Sequence, residues 1–232
     1  MIGIIGAMQT ETDALVGMLQ DKTTEIISGR EYHRGKLFGK DTVICTCGIG
    51  KVFAAICAEA MILRYSPDIL INTGVAGAIS DKLDVCDIVI SDAVVQHDMD
   101  TSPLGDPVGL ISGINKVYFD ADVKAADKLC SIVERLGIGC VRGVVASGDQ
   151  FIAGAEQKSR IKSLFENAAC CEMEGAAIGH VAFVNNTPFV VVRAISDKAD
   201  GTGNMDYMQF CDIAAQNSIK VICDFVSEYE KQ

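Results

Sequence analysis

Residues 168–183 read AACCEMEGAAIGHVAF: a short apolar run of small residues, two glutamates flanking a methionine, then a stretch of small helix formers. The run predicts a buried strand whose last residues, Glu172-Met173-Glu174, emerge at the carboxyl edge of a sheet, where open α/β sheets place ligands. Alternation along a strand puts Glu172 and Glu174 on one side and Met173 on the other, so two acids crowd one small region. Crowded carboxylates are costly unless something uses them. The plainer explanation is that one of them favours the positive end of the helix that follows. A second stretch adds weight. Residues 189–200, FVVVRAISDKAD, form a β-branched run suited to a fully buried parallel strand, and it ends in Arg193, Ser196 and Asp197. Two successive strands ending in charged and hydroxyl residues point to one site in an α/β fold.

Composition bounds the rest. The chain has 232 residues, 49% of them hydrophobic, which suits one α/β domain over 1–232 with a sizeable core. A net charge of −11 and the lack of a basic stretch argue against a nucleic-acid partner. Ten cysteines are scattered through the chain, several inside apolar segments (Cys45, Cys57, Cys130, Cys223), and read as buried thiols in place of a disulfide framework. Cys45-Thr46-Cys47 and Cys170-Cys171 lack metal-ligand spacing, and three histidines do not close a zinc site, so no metal is expected. The start MIGIIGAM has no basic leader, and no apolar run reaches the roughly 18 residues of a membrane span. A cytoplasmic protein without a membrane partner is expected.

Strand-like and helix-like segments alternate along the chain. Met1 to Ile5 predicts a first strand, and Gly6-Ala7-Met8 a turn into a helix from near Thr10; the glycines do not complete a dinucleotide fingerprint. Thr24 to Ser28 and Arg30 to Leu37 predict paired strands, followed by Thr42 to Cys47. Gly48-Ile49-Gly50-Lys51-Val52 resembles a phosphate loop but has cysteine at 45 and Val52 where glycine and Ser/Thr are needed, so a nucleotide-triphosphate site is rejected. A helix with Val52, Ala55, Ala58 and Ile62 on one face follows. Ile69 to Asn72 predicts a strand running into Thr73-Gly74-Val75-Ala76-Gly77, either an ordinary strand-to-loop turn or a close approach to a ligand. After a strand at 87–95 comes a long irregular stretch, 96–118, with His97, Asp98 and Asp100 at its start; a solvated loop is the expectation over a cation site. A helix at 122–136 leads to a strand ending in Ser147-Gly148-Asp149-Gln150-Phe151-Ile152, where Phe151 and Ile152 are either a stacking shelf or plain core. A closing helix at 206–230 buries Phe210, Ile213, Ala214, Val221 and Phe225, and the Gly-rich segment before Tyr207 could move over a site.

Gly3-Ile4-Ile5-Gly6-Ala7-Met8 with Glu11, Gly48-Ile49-Gly50-Lys51, Asn72-Thr73-Gly74, Ser147-Gly148-Asp149, Glu172-Met173-Glu174 and Arg193-Ala194-Ile195-Ser196-Asp197 occur in this order over nearly the whole chain. Together they resemble the bacterial methylthioadenosine/S-adenosylhomocysteine nucleosidases of the purine nucleoside phosphorylase superfamily. The resemblance implies a three-layer α/β/α fold around a mixed, barrel-like β-sheet, a homodimer, a small-molecule nucleoside substrate and no cofactor.

The same resemblance implies roles. Asp197 is the acid that protonates adenine N7, with Ser196 holding it; its reference pKa of about 3.9 would have to rise for this. Glu174 accepts the ribose 2′ and 3′ hydroxyls, and Met173 packs against the sugar. Glu11 activates water, with Arg193 organising it; by itself Glu11 reads equally as a first-turn glutamate. Phe151 and Ile152 hold the purine, Tyr207 contacts the sugar or its 5′ substituent, and Met8, Ile49, Val75, Ala76, Gly77 and Glu172 line the same cavity. Two departures stand out. Val75 occupies a position where the family commonly has Ser or Thr, and the loop 101–113, TSPLGDPVGLISG, lacks the aromatic residues that enclose the alkylthio tail of a neighbouring subunit's ligand.

Overall fold

The computed structural model describes residues 1–199 and 203–230, without the side chains of 203–209. The expected mobile segment at 200–204 falls largely in the undescribed part, and the side chain of Tyr207 lies wholly outside the described residues.

The strands are β1 (Ile2–Gly6), β2 (Gln20–Ile27), β3 (Arg30–Leu37), β4 (Lys40–Thr46), β5 (Ile69–Ala78), β6 (Ile88–Gln96), β7 (Tyr118–Asp120), β8 (Cys140–Ser147), β9 (Ala168–Glu172) and β10 (Phe189–Asp197). The helices are α1 (Gln9–Met18), α2 (Lys51–Tyr65), α3 (Val123–Arg135), α4 (Ala155–Leu164), α5 (Gly175–Val184) and α6 (Gly203–Glu228). Strand order runs β10-β6-β8-β9-β5-β1-β4-β3-β2, and β10 pairs with β5 as well as β6. Five strands, β10, β6, β8, β9 and β5, therefore close on themselves as a barrel, while β1, β4, β3 and β2 extend from it as an open wing. Pairing is parallel for β1 with β4 and β5, β10 with β5, and β6 with β8, and antiparallel for β10 with β6 and β5 with β9. The sheet is the expected mixed, barrel-like one.

Both faces of the parallel strands are covered, so their sequences are continuously apolar. Phe189 and Val191 of β10 enter one core with Cys57, Ala58 and Met61 of α2 and Ala176 and Ala182 of α5. Val190 and Val192 enter the other, with Leu15 of α1, Leu129 and Ile132 of α3 and Ile222 and Phe225 of α6. This is the three-layer arrangement. A third cluster, Ile152, Ile161, Phe165 and Ala199 among others, fills the end of the barrel under α4. No helix among the described residues is long and apolar enough to cross a membrane.

Several elements differ from the sequence expectation. Residues 73–77 are not a turn: β5 continues to Ala78, because Gly77 and Ala78 are laddered to β9 and residues 70–77 to β10. α4 was not anticipated; its sequence AEQKSRIKSL buries only Ile161 and so lacks an apolar stripe. Val52 on α2 and Ile213 on α6 are exposed, since the buried stripes run through Ala54, Cys57, Ala58, Met61 and Ile62, and through Ala214, Ala215, Ser218, Val221, Ile222 and Phe225.

Candidate active site

The carboxyl ends of β1, β4, β5, β8, β9 and β10 open on one cleft. Its lining contains Met8, Glu11, Ile49, Val75, Ala76, Gly77, Phe151, Ile152, Glu172, Met173, Glu174, Ser196 and Asp197. These come from six separate segments. Of the sequence candidates, Arg193 does not line the cleft, and the side chain of Tyr207 is outside the described residues.

Glu11 reaches the cleft because α1 begins directly after β1. Its Oε2 accepts the amides of Ala7 (2.7 Å) and Met8 (2.9 Å), satisfying exposed N–H groups at the helix start, and its Oε1 accepts the Val75 amide of β5 at 3.1 Å. The side chain is therefore fixed from both ends and buried, 4% exposed, not a solvated first-turn glutamate. Burial raises its pKa, against the charge of Arg193 and the three amides, which lower it.

The acid pair at the end of β9 departs from simple alternation. The strand stops at Glu172, Glu174 takes the N-cap position of α5, and Glu172, Met173 and Glu174 all line the cleft. Glu172 does what the plainer reading supposed: it accepts the Glu174 and Gly175 amides at the start of α5. It also accepts the Ser147 hydroxyl and pairs with the Arg193 guanidinium, which reaches on to Asn72 Oδ1. Burial would raise the Glu172 pKa, but Arg193, Ser147 and the Gly175 amide outweigh it and hold the carboxyl below its usual range. Glu174 lacks that compensation. It accepts the Gly50 amide at 2.8 Å and lies 3.9 Å from Arg193 Nη2, and burial followed by the charge of Glu172 pushes its pKa up to about 7.

Arg193, 1% exposed, thus stands behind the cleft as the counter-charge of the carboxylates rather than as a group facing a ligand. It is held by Glu172 and Asn72 and also lies near Glu11, whose pKa its charge lowers; its guanidinium is charged, burial notwithstanding, because Glu172, Glu174 and Glu11 surround it.

On β10 the register slips between Ile195, opposite Ala76, and Asp197, opposite Gly77, leaving Ser196 as an extra residue. The bulge explains why consecutive residues both face the cleft. Asp197, 2% exposed, accepts the Ala199 amide on Oδ1 and the Ser196 hydroxyl on Oδ2, both at 2.9 Å. Ser196 Oγ is also 3.3 Å from the Ala76 carbonyl oxygen. The hydroxyl can therefore serve both protonation states of Asp197, donating to a carboxylate, or donating to Ala76 while accepting from a carboxylic acid.

Phe151, 47% exposed, and Ile49, 56% exposed, also line the cleft, as does the buried Ile152. Ala7, Gln150 and Cys171 line the cleft and were not picked out from the sequence, although each adjoins a residue that was. Asn72 and Ser147, which hold the Arg193–Glu172 pair, stand in motifs that carry the resemblance but are not among the site residues it implies. His97 is buried and Asp98 is paired with Lys51, so the expected solvated loop is anchored at its start. Among the described residues no cluster of three His, Cys, Asp or Glu could hold a metal ion.

The phosphorylase superfamily model matches residues 1–227. A 5′-methylthioadenosine/S-adenosylhomocysteine nucleosidase of Actinobacillus succinogenes is 39% identical over 229 residues, covering 99% of each chain, and one of Haemophilus influenzae is 40% identical, covering 97% of this chain and 98% of that one. Among solved structures, the same enzyme of Neisseria meningitidis in complex with methylthio-immucillin-A superposes with a TM-score of 0.94 at 31% identity, covering 98% of this chain and 99% of that one. Futalosine hydrolase of Helicobacter pylori gives 0.93 at 32% identity, covering 98% and 97%. By sequence along its whole length and by fold, the chain belongs to the 5′-methylthioadenosine/S-adenosylhomocysteine nucleosidases of the phosphorylase superfamily.

Proposed function

We infer that the protein hydrolyses the N-glycosidic bond of 5′-substituted adenosines such as 5′-methylthioadenosine and S-adenosylhomocysteine, releasing adenine and the 5′-substituted ribose. The observation that carries this reading is the meeting of Glu11, Glu174 and Asp197, from three distant segments, in one cleft. Asp197 gives a proton to adenine N7, so the base leaves neutral and the C1′–N9 bond breaks with positive charge left on the ribose. Glu174 accepts the 2′ and 3′ hydroxyls and stabilises that charge. Glu11 takes a proton from water as its oxygen bonds to C1′; its raised pKa makes it a better base, and its three amide contacts hold its direction. Met8, Ile49, Phe151, Ile152 and Met173 supply the apolar walls for purine and sugar, and the resemblance assigns Tyr207 to the sugar or its 5′ substituent.

Phosphorolysis is disfavoured because no Lys or Arg lines the cleft among the described residues, and the buried Arg193 already belongs to Glu172. A futalosine-type nucleoside is the second reading for the 5′ side, favoured by the non-aromatic 101–113 loop with its 83% exposed Leu104. One assay decides among these: purified enzyme with methylthioadenosine, S-adenosylhomocysteine, 5′-deoxyadenosine, futalosine-type nucleosides and inosine, measuring base release with and without phosphate. Ribose 1-phosphate as product overturns hydrolysis, and binding without turnover leaves a nucleoside sensor.

The enzyme works as a homodimer in the cytoplasm, where thiols such as Cys45 and Cys57 stay reduced. Val52 (69% exposed), Phe53, Ile56 and Leu63 (70%) form an uncovered apolar face on α2, flanked by Phe183 and Val184 of α5. The family resemblance further assigns the 101–113 loop of one subunit to the neighbourhood of the other's cleft. Sedimentation of Leu63→Glu as a monomer is the expected result.

A further inference from the structure

The turn Gly48-Ile49-Gly50-Lys51 does not complete a phosphate loop, having Cys45 and Val52 at its key positions, and the chemistry above leaves Lys51 unused. Its surroundings give it a task. Lys51 Nζ donates to Asp98 Oδ1 at 2.6 Å and to Gln96 Oε1 at 3.2 Å, with both charged side chains only 17% exposed. The backbone N–H of the same residue donates to Asp149 Oδ1 at 2.8 Å, and the Asp149 N–H donates to Asp98 Oδ2 at 2.9 Å. Three segments distant in sequence are thereby tied into one ring: the start of α2, the end of β6 and the loop after β8. Asp149 also supplies the cap that α2 lacks, since its own N-cap residue is Gly50.

The ring lies at the joint between the two walls of the cleft. Ile49 precedes Lys51 by two residues on one wall, and Gln150, Phe151 and Ile152 follow Asp149 on the other. Gly50, between them, has φ +101°, and its amide is the one that Glu174 accepts. A side chain at Gly50 would be strained and would meet Asp149 Oδ1 at 3.1 Å, so the turn is shaped to fit the ring. The partly buried Lys51–Asp98 pair is also less screened than a surface ion pair.

We propose that Lys51 is a positioning residue, a latch that through Asp98 and Asp149 sets the gap between the Ile49 wall and the Phe151–Ile152 wall and so sets how tightly the purine nucleoside is held. The kinetic part of this rests on the nucleosidase reading. Lys51 does not line the cleft, so its loss falls on ground-state binding more than on bond breaking.

The test compares Lys51→Met, Lys51→Arg, Asp98→Asn and the Lys51→Met/Asp98→Asn double variant by hydrogen exchange and by initial rates on methylthioadenosine. Lys51→Met is expected to speed exchange of the Lys51 and Asp149 amides and to raise KM by about tenfold, the size of one lost hydrogen bond to a charged group, with a smaller change in kcat. Lys51→Arg restores most of the affinity, and the double variant is no worse than the worse single. Unchanged exchange at those two amides, a fall confined to kcat, or KM effects that multiply in the double variant overturns the latch. If the wild type releases no adenine from any nucleoside, the nucleosidase reading fails, while exchange still decides the latch.

Discussion

The Val75 amide donates a 3.1 Å hydrogen bond to Glu11 Oε1, joining two residues 64 positions apart and fixing an α1 carboxylate against the middle of the sheet. The neighbouring residue leaves room for it. A Cβ at Gly74 would lie 2.5 Å from Glu11 Oε1 and 2.9 Å from its Cδ, so Gly74→Ala must displace the carboxylate. A misplacement of about 1 Å in a reacting group costs about 10²-fold in rate, and kcat of Gly74→Ala is expected to fall by that order. Steady-state kinetics check it; full activity shows that Glu11 need not sit where it does.

Asp197→Asn keeps the contacts to Ser196 and Ala199 in shape but cannot deliver a proton to the base. Turnover is expected to drop by about 10² to 10⁴, the usual contribution of general acid catalysis, with the thermal midpoint nearly unchanged. Near-normal turnover removes Asp197 from the mechanism.

Glu174 carries the pH dependence. On the proposed mechanism its carboxyl is ionised to stabilise the ribose cation, so with its pKa pushed up to about 7, kcat/KM is expected to climb as pH rises through that value. Stability runs the other way. The folded chain keeps a proton that the unfolded chain, with its ordinary 4.5, has released, so stability attributable to this group is lost as pH rises from 4.5 through about 7. Glu174→Gln is thus expected to cripple activity and yet to gain unfolding free energy on the order of 3 kcal/mol near pH 8, with little gain near pH 4. Urea titrations at the two pH values measure it, and an equal gain at both excludes the titration of Glu174 as its source.

Arg193 and Glu172 are both buried and paired, so removing one strands the other. Arg193→Met is expected to lower unfolding free energy by about 3–5 kcal/mol. Adding Glu172→Gln to that chain recovers part of the loss. Denaturant midpoints give the comparison, and no recovery in the double variant shows that packing, not the orphaned charge, sets the cost.

The ends of the apolar strands were the legible part of the site. Glu172-Met173-Glu174 and Ser196-Asp197 stand out because polar residues interrupt runs that are otherwise suited to burial on both faces, and both lead into the cleft. What each does was less visible. Glu172 and Glu174 look alike in sequence; that one caps α5 and pairs with Arg193 while the other faces Gly50 depends on where β9 stops, which no periodicity marks. The bulge at Ser196 is likewise set by the Gly77 register of a partner strand more than a hundred residues away. Gly74 and Gly77 suggested a turn because glycine is a local signal, whereas the ladders to β9 and β10 that keep β5 straight are long-range. α4 escaped because nine of its ten residues face away from the core.

β5 is hydrogen-bonded to β1, β10 and β9, and it contributes Val75, Ala76 and Gly77 to the cleft. A strand hemmed in on that many sides cannot shift without dragging the barrel along, whereas the connections that supply Ile49, Gln150 and Phe151 are bounded by turns. On the proposed mechanism, the grip on the purine and the cleavage of the bond therefore reside in separate parts of the fold. On that same mechanism, substitutions in these connections retune how the purine is gripped, while the strand that fixes the Glu11 carboxylate stays in place.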